Sequence, residues 1–425
     1  MKKTIKNIAL GLLLAITALP FISCGHDPVF YGIIHDVVPE AALVNGNITS
    51  IVRCTINSDD YLFLSNGGAL QYKSLDSAKH GEWESDGVKL PFKTHHYNYY
   101  ETSSEGIGHQ GELVHRVLAD DSNIYIFTAS FEQDDRYGVV MPKAFHLWTK
   151  PLDSLFNNSK DDWYDIVDTR EDYFKFSLNV KETEVELDFS FFYTNTPKQA
   201  HREAYLAVKD SNNFKYFKLN GAADPVECTS SIEANTVQVY DKSTKINSAF
   251  YIGNNLYFSD SLVVITNETK DDDATFACLA GMKSNYYTTS DLYIFTAGAL
   301  KEEKISASSP IASLAVTADS LIIGKGSYGE TYTSTGGLER VLITNNLPET
   351  EIKSFTNNAQ YQITTSYIVL TLLCTDPTKN EEDATLYASV SYRGTTTSSS
   401  ATYSNIGLWA YYPIRNNSKG NWNRE

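Results

Sequence analysis

Six of the nine histidines lie between residues 80 and 146, as His80, His95, His96, His109, His115 and His146. A metal centre needs its ligands on one face at a fixed spacing, and no HExxH arrangement is present. His95 and His96 are adjacent, so in a strand they point to opposite sides and cannot chelate together. Acids recur in runs at Asp120-Asp121, Asp134-Asp135, Asp161-Asp162, Asp271-Asp272-Asp273 and Glu381-Glu382-Asp383. Calcium takes such carboxylates with turn carbonyls, and Asp271 to Asp273 would be the run to hold it. None has the alternating ligands and central glycine of an EF-hand, so these runs read as solvated turns. The chain has neither a Gly-x-Ser-x-Gly elbow nor a phosphate loop nor a dinucleotide fingerprint. The expectation is a chain without a catalytic set, resident metal or cofactor.

The residue with the clearest chemistry is Cys24. Lys2, Lys3 and Lys6 precede an apolar run, Ile8 to Ala18, and Pro20 follows it. That order of charge, apolar core and breaker is the pattern of an export signal. The run is short for a membrane span, which needs about 20 residues. Phe21-Ile22-Ser23-Cys24-Gly25 resembles the lipobox of bacterial lipoproteins, with Phe21 where leucine is usual. The resemblance implies cleavage before Cys24, acylation of its thiol, and attachment to a membrane of the cell envelope. Residues 1–23 are then a signal peptide, 24–48 a lipidated tether and 49–425 the working domain.

Loss of the three lysines in residues 1–23 takes the formal net charge from −17 to −20. Such a surface repels nucleic-acid phosphates and anionic lipid headgroups. Contact with the bilayer is expected through acyl chains rather than a basic patch. Four cysteines remain, Cys54, Cys228, Cys278 and Cys374, in a compartment that permits disulfides. Their wide spacing excludes a compact metal knuckle. Buried free thiols are the expectation, with a Cys54–Cys374 bridge across a ring closure as the alternative.

Tyrosine, phenylalanine, serine and threonine are abundant, a β-rich composition. Two sequence elements repeat. The first is a strand, a polar turn and a second strand, at 50–65, 113–130, 248–260, 311–327 and 361–373. Aligning the second strands at Tyr61, Ile124, Leu256, Leu321 and Ile368 gives intervals of 63, 132, 65 and 47. The second element is a strand, a turn and a tryptophan. It runs from Leu70 to Trp83, Leu147 to Trp163 and Leu408 to Trp422, with Lys79, Lys160 or Lys419 in the turn. Together they make a four-stranded meander that cannot bury both faces alone, so the units must stack into a ring. Six or seven four-stranded blades of a β-propeller are predicted, with a pair of β-sandwiches as the rival. Recurrence at one position makes Trp83, Trp163 and Trp422 packing residues, and the same holds for Trp148 and Trp409.

The turn from Leu75-Asp76-Ser77 to Trp83, and the segment 319–337, resemble the Asp-box blades of sialidase-like propellers. In that family the resemblance implies an arginine cluster for a substrate carboxylate, a Tyr–Glu nucleophile pair and an acidic proton donor. Arg53 and Arg116 fall on equivalent first strands, which run nearest a propeller axis. Single arginines on strands more often pair with acids, and no Arg-Ile-Pro motif is present. The sequence therefore points to a non-catalytic lipoprotein whose propeller binds a protein partner. Glycan binding, or a carbohydrate-active enzyme, is the alternative.

Overall fold

A computed structural model describes residues 44, 48–66, 69–76, 82–94, 112–134, 139–157, 159–167, 178–181, 184–187, 189–196, 199–210, 213–227, 246–252, 255–260, 263–266, 285–287, 292–296, 299–301, 311–325, 336–345, 347–355, 363, 367–392, 407–413 and 420–425. Cys24, the signal segment and most of the tether lie outside these residues. Among the described residues no helix is long and apolar enough to cross a membrane.

The strands form antiparallel meanders arranged as a propeller. The first blade has three strands, Ile48–Ile56, Asp59–Asn66 and Ala69–Ser74. A lone bridge between Tyr72 and Glu84 stands where its fourth would be. The second blade comprises Glu112–Ala119, Asn123–Asp134, Val139–Pro151 and Tyr164–Asp165. Phe189–Thr196, Gln199–Asp210, Asn213–Lys218 and Val226–Glu227 make the third. The penultimate blade runs through Ile311–Val316, Ser320–Lys325, Gly337–Thr344 and Leu347–Ser354. The last contains Tyr367–Cys374, Leu386–Tyr392, Gly407–Tyr412 and Asn421–Arg424. Each blade's first strand lies innermost, and the last blade's inner strand returns to the first blade's.

Blade number and regularity differ from the expectation of six or seven four-stranded units. Five blades of three or four strands have described cores. Between the third and penultimate ones, backbone pairing gives a meander of Ile246–Ile252, Asn255–Asp260, Leu292–Thr296 and Ala299–Lys301. The described residues of 226–305 form no further blade beside this meander. Its insertion, Val263–Thr266 and Asn285–Tyr287, pairs with the hairpin Leu178–Lys181 and Glu184–Leu187 in a separate sheet. The interval of 47 is also corrected. Ile368 lies on an innermost strand, and the matching second strand begins at Leu386, 65 residues after Leu321.

Both faces of a blade are buried, which explains the continuous apolar runs. In the second blade Ile124 and Ile126 enter the core shared with the first blade. Tyr125 and Phe127, pointing the other way, enter the core shared with the third. The first hairpin turns at Asn57-Ser58 with φ of 51° and 73°, the left-handed pair that a two-residue type I′ turn requires.

The turn-and-tryptophan element has one register. Glu84, Tyr164 and Asn423, each following its tryptophan, pair with Tyr72, Thr149 and Ala410. The preceding strand position carries Lys73 over Trp83 at 5.7 Å and Lys150 over Trp163 at 5.8 Å. In the last blade Tyr411 replaces the lysine and packs on Trp422 at 5.5 Å. Trp163 and Trp422 are buried, as expected of packing residues.

Candidate functional site

All the innermost strands but that of the third blade share a device absent from the sequence reading. Register shifts place an extra residue at Thr49, His115, Asn247, Ala312 and Leu370. A bulge disrupts the ladder locally and leaves its extra residue unpaired within its own sheet. Neighbouring blades take up the freed groups. Thr49 Oγ1 and Ser65 Oγ donate to the His115 carbonyl, the latter at 3.3 Å. Val117 N donates to Ser50 Oγ at 2.7 Å. Thr371 Oγ1 donates to the Thr49 carbonyl at 3.4 Å, and Ser313 Oγ donates to the Val369 carbonyl at 3.0 Å. A polar belt thus stitches the inner strands together.

The arginines belong to this stitching. Arg116 donates to the Thr49 carbonyl of the first blade. Arg53 pairs with Asp60 at 2.5 Å and donates to the Thr375 carbonyl of the last blade. Burial opposes ionisation of Asp60, but hydrogen bonds from Arg53 and Thr55 outweigh it and hold the carboxyl below its usual value. Arg340 pairs with Glu381 at 2.5 Å across the junction of the penultimate and last blades. Arg424 lies 5.2 Å from the Trp409 ring. Arg202 brings positive charge near Asp60 and Cys54, while its main-chain N–H donates to Asp121 Oδ1 at 3.0 Å. Arg136, Arg170, Arg393 and Arg415 lie outside the described residues.

Tyr–Glu pairs exist, but on second or outer strands. Tyr72 donates to Glu84 and Tyr205 to Glu203, each at 2.6 Å, and Tyr412 donates to Glu425. Burial and the adjoining Glu84 push the Tyr72 phenol upward, away from the ionised form a nucleophile needs.

Asp120, Asp121 and Glu381 of the predicted turns are structural rather than merely solvated. Asp120 accepts from Ser122 N and Asn123 N at 2.7 Å and from Tyr125 OH at 2.5 Å. Glu381 accepts from Ser320 at 3.0 Å, and its own N–H donates to Asp319 at 2.8 Å. Lys150 reaches Asp162 at 3.9 Å. Among the described residues no three acids, histidines or cysteines are grouped to hold a metal. Asp271 to Asp273 fall outside them.

Two histidines depart from the solvated-loop reading. His115 is buried edge-on against Phe127 and Phe189. His146 Nδ1 bonds Asp165 Oδ2 at 2.5 Å, and the ring stacks on Trp148 at 5.4 Å. Trp148 Nε1 in turn donates to Glu112 at 3.0 Å, and Phe92 lies 5.8 Å from the indole. A polar row of Glu112, Thr128, His146 and Asp165 therefore crosses the four strands of the second blade. His80, His95, His96 and His109 are outside the described residues, as are Cys228 and Cys278.

Cys54 and Cys374 are free thiols in different places. Cys54 enters the core between the first two blades, whereas Cys374 packs against the core between the penultimate and last. The first and last blades both lie between those two cores, so the bridge across the ring closure does not form. Burial pushes both thiols up to about 12, which keeps them protonated and unreactive.

No family model matches the chain. No curated protein matches it either. Solved structures match it at low similarity. A mutant of AofleA from Arthrobotrys oligospora is 9% identical, with a TM-score of 0.39, covering 92% of this chain and 88% of that one. The α-L-arabinanase of Cellvibrio cellulosa is 11% identical with a TM-score of 0.33, covering 89% and 95%. A thermostable family-43 glycoside hydrolase is 13% identical with a TM-score of 0.33, covering 76% and 99%.

Proposed function

We propose that this chain is a lipid-anchored protein of the cell envelope whose propeller binds a protein partner without catalysing a reaction. The reading rests on how Arg53, Arg116, Arg340, Asp60, Asp120 and Glu381 are used. These are groups of the kind a glycosidase would turn on its substrate, and each is bonded into a turn or across a blade junction. The turns joining first and second strands leave Thr55, Asn57 and Asp121 exposed as a polar contact surface. Attachment rests on the Cys24 lipobox and the preceding signal pattern.

Metabolic labelling with palmitate should tag the protein, and Cys24→Ala should abolish the tag. Photo-crosslinking residues placed at Thr55, Asn57 and Asp121 in the cell-borne protein should yield discrete adducts with one protein species. Turnover of aryl glycosides or polysaccharides by the purified chain would sink the non-catalytic reading.

A glycan-binding or carbohydrate-active role is supported by a different place. Half-buried Trp148 and Phe92 lie beside Glu112 and the His146–Asp165 pair. An aromatic face with flanking carboxylates is sugar-compatible chemistry. Tryptophan fluorescence quenched by an oligosaccharide, and lost in Trp148→Ala, would select this reading.

A further inference from the structure

We propose that the junction between the last and first blades is a latch bolted by Glu425, and that the ring opens there before any blade unfolds. The chain runs from the first blade through the others to the last, and the stretch entering the first strand meets the last blade at Val44, among the described residues through hydrogen bonds alone. Its closure is noncovalent.

One residue makes four bonds across or beside it. Glu425 N donates to the Leu408 carbonyl at 2.9 Å, and the Glu425 carbonyl accepts from Val44 N at 2.8 Å. The Leu408 amide completes the group by donating to the Val44 carbonyl at 3.1 Å. One carboxylate oxygen of Glu425 pairs with Lys73 on the first blade, and the other accepts from Tyr412 on the last. The Glu425 side chain is 9% exposed and that of Lys73 15%, with the ammonium seated over Trp83.

Among the described residues nine buried apolar side chains fill this junction, against fifteen and fourteen at the two junctions of the second blade, so the polar bolt carries a larger share of closure here than there. Removing one partner of a buried ion pair strands the other charge in a low-dielectric site, which is costlier than the pair is favourable. Proteins open locally in contiguous cooperative units at less than the global cost. The bolt therefore sets how often the ring parts at this place while the blades stay folded.

Hydrogen–deuterium exchange on the full chain tests the latch, comparing wild type with Glu425→Gln, Lys73→Glu and the exchanged pair Lys73→Glu/Glu425→Lys. Glu425→Gln should speed exchange at Val44, Leu408 and strand 421–424 on the order of ten- to a hundredfold. Segments 123–129 and 204–208, in the second and third blades, should keep wild-type rates. The exchanged pair should regain most of the lost protection. Uniform acceleration across all blades would overturn the proposal, because the ring would then open only by global unfolding. Unchanged exchange at Leu408 would overturn it as well. Should Glu425→Gln fail to fold, Lys73→Met is measured the same way, and wild-type exchange at the junction in that variant counts against the latch.

Discussion

The inner and outer strands of the blades are held together by opposite means. Outer hairpins repeat one local unit, a tryptophan against a lysine stem or a tyrosine ring, in one register. Inner strands are joined by individual polar bonds between blades, and the donors differ from junction to junction. Hydroxyls serve between the first and second blades, and Ser313 alone reaches the Val369 carbonyl farther round. Packing that recurs inside a blade leaves a sequence repeat. Bonds that depend on the neighbouring blade leave none.

The contrast breaks most visibly at the tryptophans. Trp422→Ala should lose about 3–5 kcal/mol, the usual cost of emptying a fully buried aromatic site. Trp163→Ala should cost somewhat less, and Trp83→Ala least, because Trp83 is only partly buried. Urea unfolding of the three variants checks the order, and equal costs would show that the hairpins are not graded by burial.

Gly324 tests the inner strands by overpacking. A Cβ there would meet Ser313 Oγ at 2.3 Å and Val369 Cγ1 at 2.9 Å. Gly324→Ala should cost about 1–3 kcal/mol in the same unfolding assay. Ser313→Ala removes one belt bond and leaves the Val369 carbonyl without that donor, for about 1–2 kcal/mol. A neutral Ser313→Ala would mean that the belt accompanies closure without contributing to it.

The smallest effect is electrostatic. The Asp60 carboxyl is depressed in the folded state, so its contribution is present above the unfolded value of about 4 and is lost as pH falls through the folded value. Asp60→Asn should flatten the acid side of the stability curve while changing little near neutrality beyond the loss of the Arg53 pair. An unchanged acid limb would show that the Asp60 partner of Arg53, within the first blade, does not matter to the bond Arg53 makes to the last.

This division also explains what the sequence disclosed. Apolar strands, the polar turns between them and the repeated tryptophans were legible because each is a local property of a hairpin. The short interval ending at Ile368 misled because an innermost strand that is apolar on both faces looks like any second strand. The bulges were invisible, since an extra residue leaves no composition signal. Only hindsight shows that Ser50, Ser313 and Thr371 follow the bulge in their strands, a recurrence of hydroxyls that a search for repeats could have weighed. The pairing of His146 with Asp165 depends on strand register and could not be read from a spacing of 19 residues.

The hydrogen bond between Val44 and Glu425 also bears on chain topology. Residues far apart in sequence stand as nearest neighbours in space, so a short Gly/Ser linker could join them without spanning any part of the ring. Neighbouring stretches of this kind suit circular permutation. The order in which the blades are written along the gene is then one choice among several. A chain opened between Val167 and Phe189 and closed at the old junction would keep every inter-blade bond named above, while moving the noncovalent closure to a different pair of blades.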